Sequence, residues 1–190
     1  MKHSPVRQHI ITKASELFYA KGYNKTGINE IIDKAGIAKA TLYHHFKSKE
    51  EICLAHLHLR HTHFMEALRA YIPSRGKGRP QLLGILDFLK ELYREDTFNG
   101  CWCQKALAEI PRDNVKIRHE IQQQKKELLA FIKDTVNANI KNLSRAEAEK
   151  ISSGLFLLYE GAISESNLQQ NDWPIYSARR LGVLLLPEDL

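Results

Sequence analysis

The chain has no uninterrupted apolar run approaching the roughly 20 residues that a membrane-spanning helix needs. Its first stretch, MKHSPVRQHIITKASELF, holds no apolar block of the signal-peptide kind, because charges and histidines interrupt it. The expectation is a cytoplasmic protein with no membrane partner. Cysteine is scarce and odd in number, at three, which argues against a disulfide framework. Nowhere do polar and apolar residues alternate with period two over a useful length, so strands are not expected. The chain also lacks a Ser-His-Asp set, a glycine loop that could cradle phosphate, and an HExxH metal motif. Nothing in it points to an enzyme or to a cofactor.

Acidic residues are scarce in one region. Residues 1–50 carry nine Lys or Arg against four Asp or Glu, whereas the remaining 140 residues hold 19 against 18. Nearly all of the net charge of +6 therefore sits in the first quarter of the chain. A concentrated basic segment suits a polyanion such as nucleic acid, although a solvated basic face would look the same by charge alone. The 43% hydrophobic and 26% charged composition is that of an ordinary globular protein.

Within the basic segment, Ile28, Ile31, Ile32 and Ala35 recur at helical spacing, and Gly36 can stop that helix in a left-handed conformation. A second short helix over 39–46 would point Leu42 and Phe46 inward and Lys39, Ala40, Thr41, Tyr43, His44 and His45 outward. Two short helices around a glycine turn describe a helix-turn-helix. Ser4-Pro5 reads as the start of a preceding helix, with Val6, Ile10, Ala14, Leu17 and Phe18 as its buried stripe and Gly22 as its end. Thr26 is placed to cap the helix that follows. Ser48 and Glu51 form a capping box that opens a long helix over 49–71.

Proline, glycine and charge make 73–80 a loop. Apolar helices are then expected over 81–95, 101–110 and 113–141. Ser144 and Glu147 form a second capping box, opening a helix to about residue 167, and Asp172-Trp173-Pro174 starts the last helix. The expectation is an all-α chain of about nine helices. A three-helix head would occupy 1–48 and a larger helical body 49–190.

The set Gly22-Tyr23, Thr26, Ile31, Ala35-Gly36-Ile37, Thr41-Leu42-Tyr43-His44-His45-Phe46 and Lys49-Glu50-Glu51 resembles the DNA-binding domain of TetR-type repressors. This resemblance implies a bacterial transcriptional repressor that binds a palindromic double-stranded operator as a homodimer. An unknown small-molecule effector held in the body would release it. It also implies that Thr26, Tyr43 and Lys49 contact phosphate. From the residues themselves, Ala38, Lys39, Ala40 and Thr41 are placed to reach base edges, with Lys39 suited to guanine and the methyls of Ala40 and Thr41 to thymine. Tyr43 and His44 are better placed for phosphate; packing against the first helix is the plain alternative for Tyr43. Gly27, Ala38 and Ala40 depart from the family's usual serine, serine and glycine.

Two apolar stripes, Leu155, Leu158 and Ala162 on one helix and Leu181, Leu184 and Leu185 on the last, could form a four-helix dimer interface or simply monomer core. Phe64, Tyr93, Phe98, Trp102, Phe156 and Tyr159 could line an effector pocket or be ordinary core. Gly100-Cys101-Trp102-Cys103, followed by Leu107-Ala108-Glu109, resembles a C-terminal-domain subgroup of the family, some members of which answer to electrophiles or oxidants. An alternative function is therefore thiol sensing through Cys101; a buried small hydrophobe is the plainer reading. The histidines at 56, 58, 61 and 63 read as a solvated polar face rather than a metal site, because no complete tetrahedral ligand set is visible.

Overall fold

A computed structural model describes residues 4–188 and 190. Among them are ten α-helices, one short 3-10 turn and no strand. The helices are α1 (Pro5–Lys21), α2 (Ile28–Ala35), α3 (Lys39–His45), α4 (Lys49–Tyr71), α5 (Arg79–Leu82), α6 (Gly84–Tyr93), α7 (Trp102–Glu109), α8 (Val115–Asn139), α9 (Arg145–Gln169) and α10 (Trp173–Leu184). The all-α expectation holds. The helix expected over 81–95 is instead two pieces that meet at Leu83. Gly84 lies there against Ile72, where a Cβ would come within 2.6 Å of the Ile72 Cδ1.

The helix ends follow local chemistry, with two corrections. Gly36 takes φ 62°, and the Ile37 N–H donates back to the Ile32 carbonyl, so α2 ends in a left-handed glycine cap. Ser144 and Glu147 satisfy each other's backbone donors as a complete capping box at α9. At α4 only half of that arrangement forms: Ser48 Oγ accepts from the Glu51 N–H, but the Glu51 carboxylate accepts from the Lys47 N–H rather than from Ser48. Thr26 does not cap α2. The N-cap is Gly27, which has no side chain to offer.

Packing divides the chain into two compact units. The first comprises the residues up to His63 together with Cys101–Gln123, and the second Phe64–Gly100 with Gln124–Leu190. The division expected at residue 48 is drawn by function rather than by packing, and the boundaries of these units lie elsewhere. The first unit buries Ile10, Ala14 and Phe18 of α1, Ile31 of α2, Leu42 of α3, Ile52 and Leu57 of α4, and Ala106 of α7. Val6, assigned to the buried stripe of the first helix from the sequence, is exposed, and so is Val115 on α8. In the second unit α10 packs on α9 and α6. Gly154 admits Leu185, and Gly182 lies against Leu83, Leu86 and Leu155. No helix among the described residues is long and apolar enough to cross a membrane.

Candidate nucleic-acid interface

The candidate recognition surface is one face of α3. Leu42 and Phe46, four residues apart, are 0% and 1% exposed and anchor the helix to the unit beneath it. Ala38, Lys39, Ala40, Tyr43 and His44 are exposed on the opposite side, and Thr41 is half-buried. The plain alternative for Tyr43, burial against α1, is not what the structure shows, since the ring is 47% exposed. His44 and His45 lie edge to face at 5.0 Å.

Two contacts from α1 hold the motif from behind. The His9 ring pairs through Nε2 with the Ala35 carbonyl at 3.0 Å, at the last residue of α2. The Arg7 guanidinium lies 4.7 Å from the centre of the Phe46 ring.

The cations of this region fall into two groups. Lys13 and Lys34 both pair with Glu16, and Lys21 pairs with Glu30. These pairs hold both carboxyls below the usual carboxylate range, chiefly through the hydrogen bonds from Lys13 to Glu16 and from Lys21 to Glu30. Lys25, Lys39 and Lys47 are exposed and make no ion pair among the described residues. The cations that remain available to a polyanion thus flank α2 and α3.

Two of the expected phosphate contacts are engaged within the protein. Thr26 is fully buried, and its hydroxyl donates to the Gly22 carbonyl at 2.7 Å, so that hydroxyl is not presented to a phosphate. Lys49 is half-buried, with Nζ 4.4 Å from the centre of the Tyr23 ring, and burial lowers the affinity of its amine for a proton.

Residues 10–55 match the family described as bacterial regulatory proteins, tetR family. That stretch is a helix-turn-helix domain of the TetR kind. The chain is similar to transcriptional regulators over most of its length. It is 37% identical over 89 residues to the transcriptional activator FasR of Mycolicibacterium smegmatis, covering 44% of this chain and 40% of that one. The chain thus spans less than half the length of FasR. It is 22% identical over 177 residues to the transcriptional repressor NemR of Escherichia coli, covering 90% and 89% of the two chains. Among solved structures it resembles SCO4454 of Streptomyces coelicolor, with a TM-score of 0.86 at 21% identity, over 96% of this chain and 88% of that one. The reduced form of E. coli NemR gives a TM-score of 0.82 at 20% identity, over 96% and 97%.

The other sites expected from the sequence are distributed unevenly. In the second unit Phe64 meets Phe88 at 5.8 Å and Tyr159 at 6.1 Å, while Tyr71 meets Phe88 at 5.2 Å, so Phe64 and Tyr159 sit in a buried aromatic cluster. Tyr93 packs on Phe98 at 5.0 Å, and Phe156 is half-buried. Trp102 belongs to the first unit, where it lines a void of about 10 Å³ with Phe18, Tyr19, Tyr23, Cys53, His56, Lys105 and Ala106. That volume suits one water molecule at most. Cys101 and Cys103 are buried thiols at the start of α7.

Of the dimer stripes, Leu155 and Ala162 are buried inside the chain, and Leu185 is half-buried against Gly154. Leu181 and Leu184 are exposed, as are Leu157, Leu168 and Trp173, which the sequence did not single out. The histidines do not form a solvated face. His56 and His61 are buried, and His56 Nδ1 pairs with Ser15 Oγ at 2.8 Å. Burial pushes the His56 ring down to about 3, and the Cys53 thiol beside it up to about 12.

Proposed function

We propose that this regulator binds a palindromic operator as a homodimer, acts as a repressor, and is released when a small-molecule effector binds in the helical body. The observation that carries the DNA reading is the outer face of α3. Lys39, Ala40, Tyr43 and His44 project from a helix whose other face is anchored at Leu42 and Phe46. Inserted into a major groove, Lys39 donates to guanine O6 or N7, the methyls of Ala40 and Thr41 meet thymine, and Tyr43, His44 and Lys49 meet phosphates. Ala38 stands at the N-cap of α3 without a side-chain bond, so its backbone can approach the DNA closely. Thr26 contributes by tying the α1–α2 turn together through its hydroxyl rather than by meeting a phosphate.

The dimer reading rests on exposed apolar side chains. Leu157 and Leu168 on α9, with open Gly161 between them, and Leu181 and Leu184 on α10 form rows at helical spacing. Water-facing leucines in rows mark a protein contact, and the two-fold pairing of half-sites on a palindrome supplies its partner, a second copy. Leu158 borders this surface, half-buried. The body is proposed to take its effector near Phe64, Tyr93, Phe156 and Tyr159. Resemblance to NemR, named a repressor, supports the sign of regulation.

A gel shift on DNA upstream of the protein's own gene tests the reading. Wild type should give a salt-sensitive shift confined to a palindrome, and Tyr43→Ala should weaken it by about tenfold or more while leaving the fold intact. An unaltered shift in both Tyr43→Ala and Lys39→Ala would remove α3 from the interface. A second reading, release by oxidants or electrophiles through Cys101, is supported by the thiol's place at the start of α7 and by the likeness to reduced NemR. A response to electrophile that persists in Cys101→Ser would sink it.

A further inference from the structure

The last residue of α7 makes a set of contacts that DNA binding, as described so far, does not use. The Glu109 carboxylate accepts a hydrogen bond from the Asn24 backbone N–H at 2.5 Å, and the Glu109 carbonyl accepts one from Asn24 Nδ2 at 3.1 Å. Gly22 closes the other side. It has φ 89°, and a Cβ there would run into the same carboxylate, 2.8 Å from Cδ and 2.9 Å from Oε2. Gly22 to Asn24 is the first half of the link between α1 and α2, and Thr26, in its second half, returns its own hydroxyl to Gly22. The link is therefore held at Gly22, Asn24 and Thr26, and the outer hold comes from residue 109, 85 positions away from Asn24.

The start of α7 is tied to α1 as well. The Arg60 guanidinium lies 3.9 Å from the centre of the Tyr19 ring and 5.7 Å from that of Trp102, and Lys105 Nζ lies 5.8 Å from Tyr19. Both ends of this helix thus bear on α1 within one packing unit. The residue between the two clamped positions, Tyr23, carries Lys49 on its ring. Lys49 also senses Glu109: burial lowers its proton affinity, and the negative charge of Glu109 works against that.

A carboxylate in a region that must meet a polyanion needs a physical reason. Here it accepts a charge-assisted bond at a turn, stronger than a neutral acceptor would make, and its charge bears on a nearby cation.

We propose that Glu109 is a positioning residue for DNA binding, fixing the α1–α2 turn and the Tyr23–Lys49 pair so that α2 and Lys49 meet the phosphate backbone. It rests in part on the reading of Lys49 as a phosphate contact.

The test uses the full chain and a labelled duplex of about 30 base pairs, selected from random DNA by the wild-type protein, with anisotropy titrations over a salt series. Glu109→Ala should bind about tenfold more weakly. Glu109→Gln keeps an acceptor for the Asn24 N–H and should recover most of that loss. Its salt dependence should be steeper by about one counterion, because Lys49 then answers only to phosphate. Gly22→Ala, which displaces the carboxylate, should weaken binding as Glu109→Ala does, and the double variant should be no weaker than the worse single one.

Wild-type affinity and salt slope in Glu109→Ala would overturn the proposal, whatever the variant's heat stability; so would additive losses in the double variant. Should Glu109→Ala fail to fold, Asn24→Ala removes one hydrogen bond of the same clamp and should cost two- to threefold, roughly; no loss would overturn the proposal equally. Lys49→Ala separates the two readings. Unchanged binding there removes Lys49 from the interface, while the Glu109 comparison still reports on the turn.

Discussion

The two packing units present opposite kinds of surface. On the first, α3 exposes lysine, tyrosine and histidine above a leucine and phenylalanine anchor. On the second, α9 and α10 expose leucines, with Leu157 at 66% and Leu184 at 79%. Both units bury some polar side chains, but only the first buries histidines, His56 and His61, among the described residues, and the second gathers Phe64, Tyr71, Phe88 and Tyr159. Exposure alone therefore identifies neither surface. Its chemistry does, since cations and an aromatic hydroxyl keep their solvation until a polyanion replaces it, whereas rows of leucine gain by leaving water.

Charging the apolar surface should break this contrast most strongly. Leu184→Glu combined with Leu157→Glu is expected to give a monomer by sedimentation, and operator affinity should fall by about a hundredfold or more, as only one half-site remains engaged. A stable dimer in that variant would place the interface elsewhere.

The second expectation concerns the polar interior. His56 stays neutral in the folded chain to about pH 3, while the unfolded chain takes up its proton near 6.5. Between those values the unfolded state binds more protons, so stability falls as pH drops, by up to about 1.4 kcal/mol per pH unit. Hydrogen exchange from pH 7 to 4.5 should show the first unit opening before the second, and His56→Gln should flatten that difference. Equal opening of both units would argue against it.

The smallest effect sharpens α2. Gly27 is its N-cap at φ −86°, with nothing within 4 Å of a built Cβ. Gly27→Ser should add a cap worth roughly a few tenths of a kcal/mol, seen as a small rise in melting temperature. A fall would mean that the position resists a side chain.

Much of the fold was legible in local patterns. The glycine stop at Gly36, the capping box at Ser144, the 49–71 helix and the inward Leu42 and Phe46 each depend on neighbours within a few residues, which the sequence shows directly. The readings that failed or stayed open share one cause. Thr26, His56, Leu155 and Ala162 have side chains that suit either water or core, and which one they meet depends on elements far along the chain.

The same division applies to function. Sequence by itself determined the family-like motif, the helical class and the concentration of positive charge in residues 1–50, because periodicity, glycine turns and charge are properties of short stretches. Tertiary structure alone decided that α7 packs in the same unit as α1, that Glu109 reaches Gly22 and Asn24, and which leucines remain in water. Those contacts join residues dozens of positions apart, and no local pattern encodes which of several compatible partners a side chain will meet.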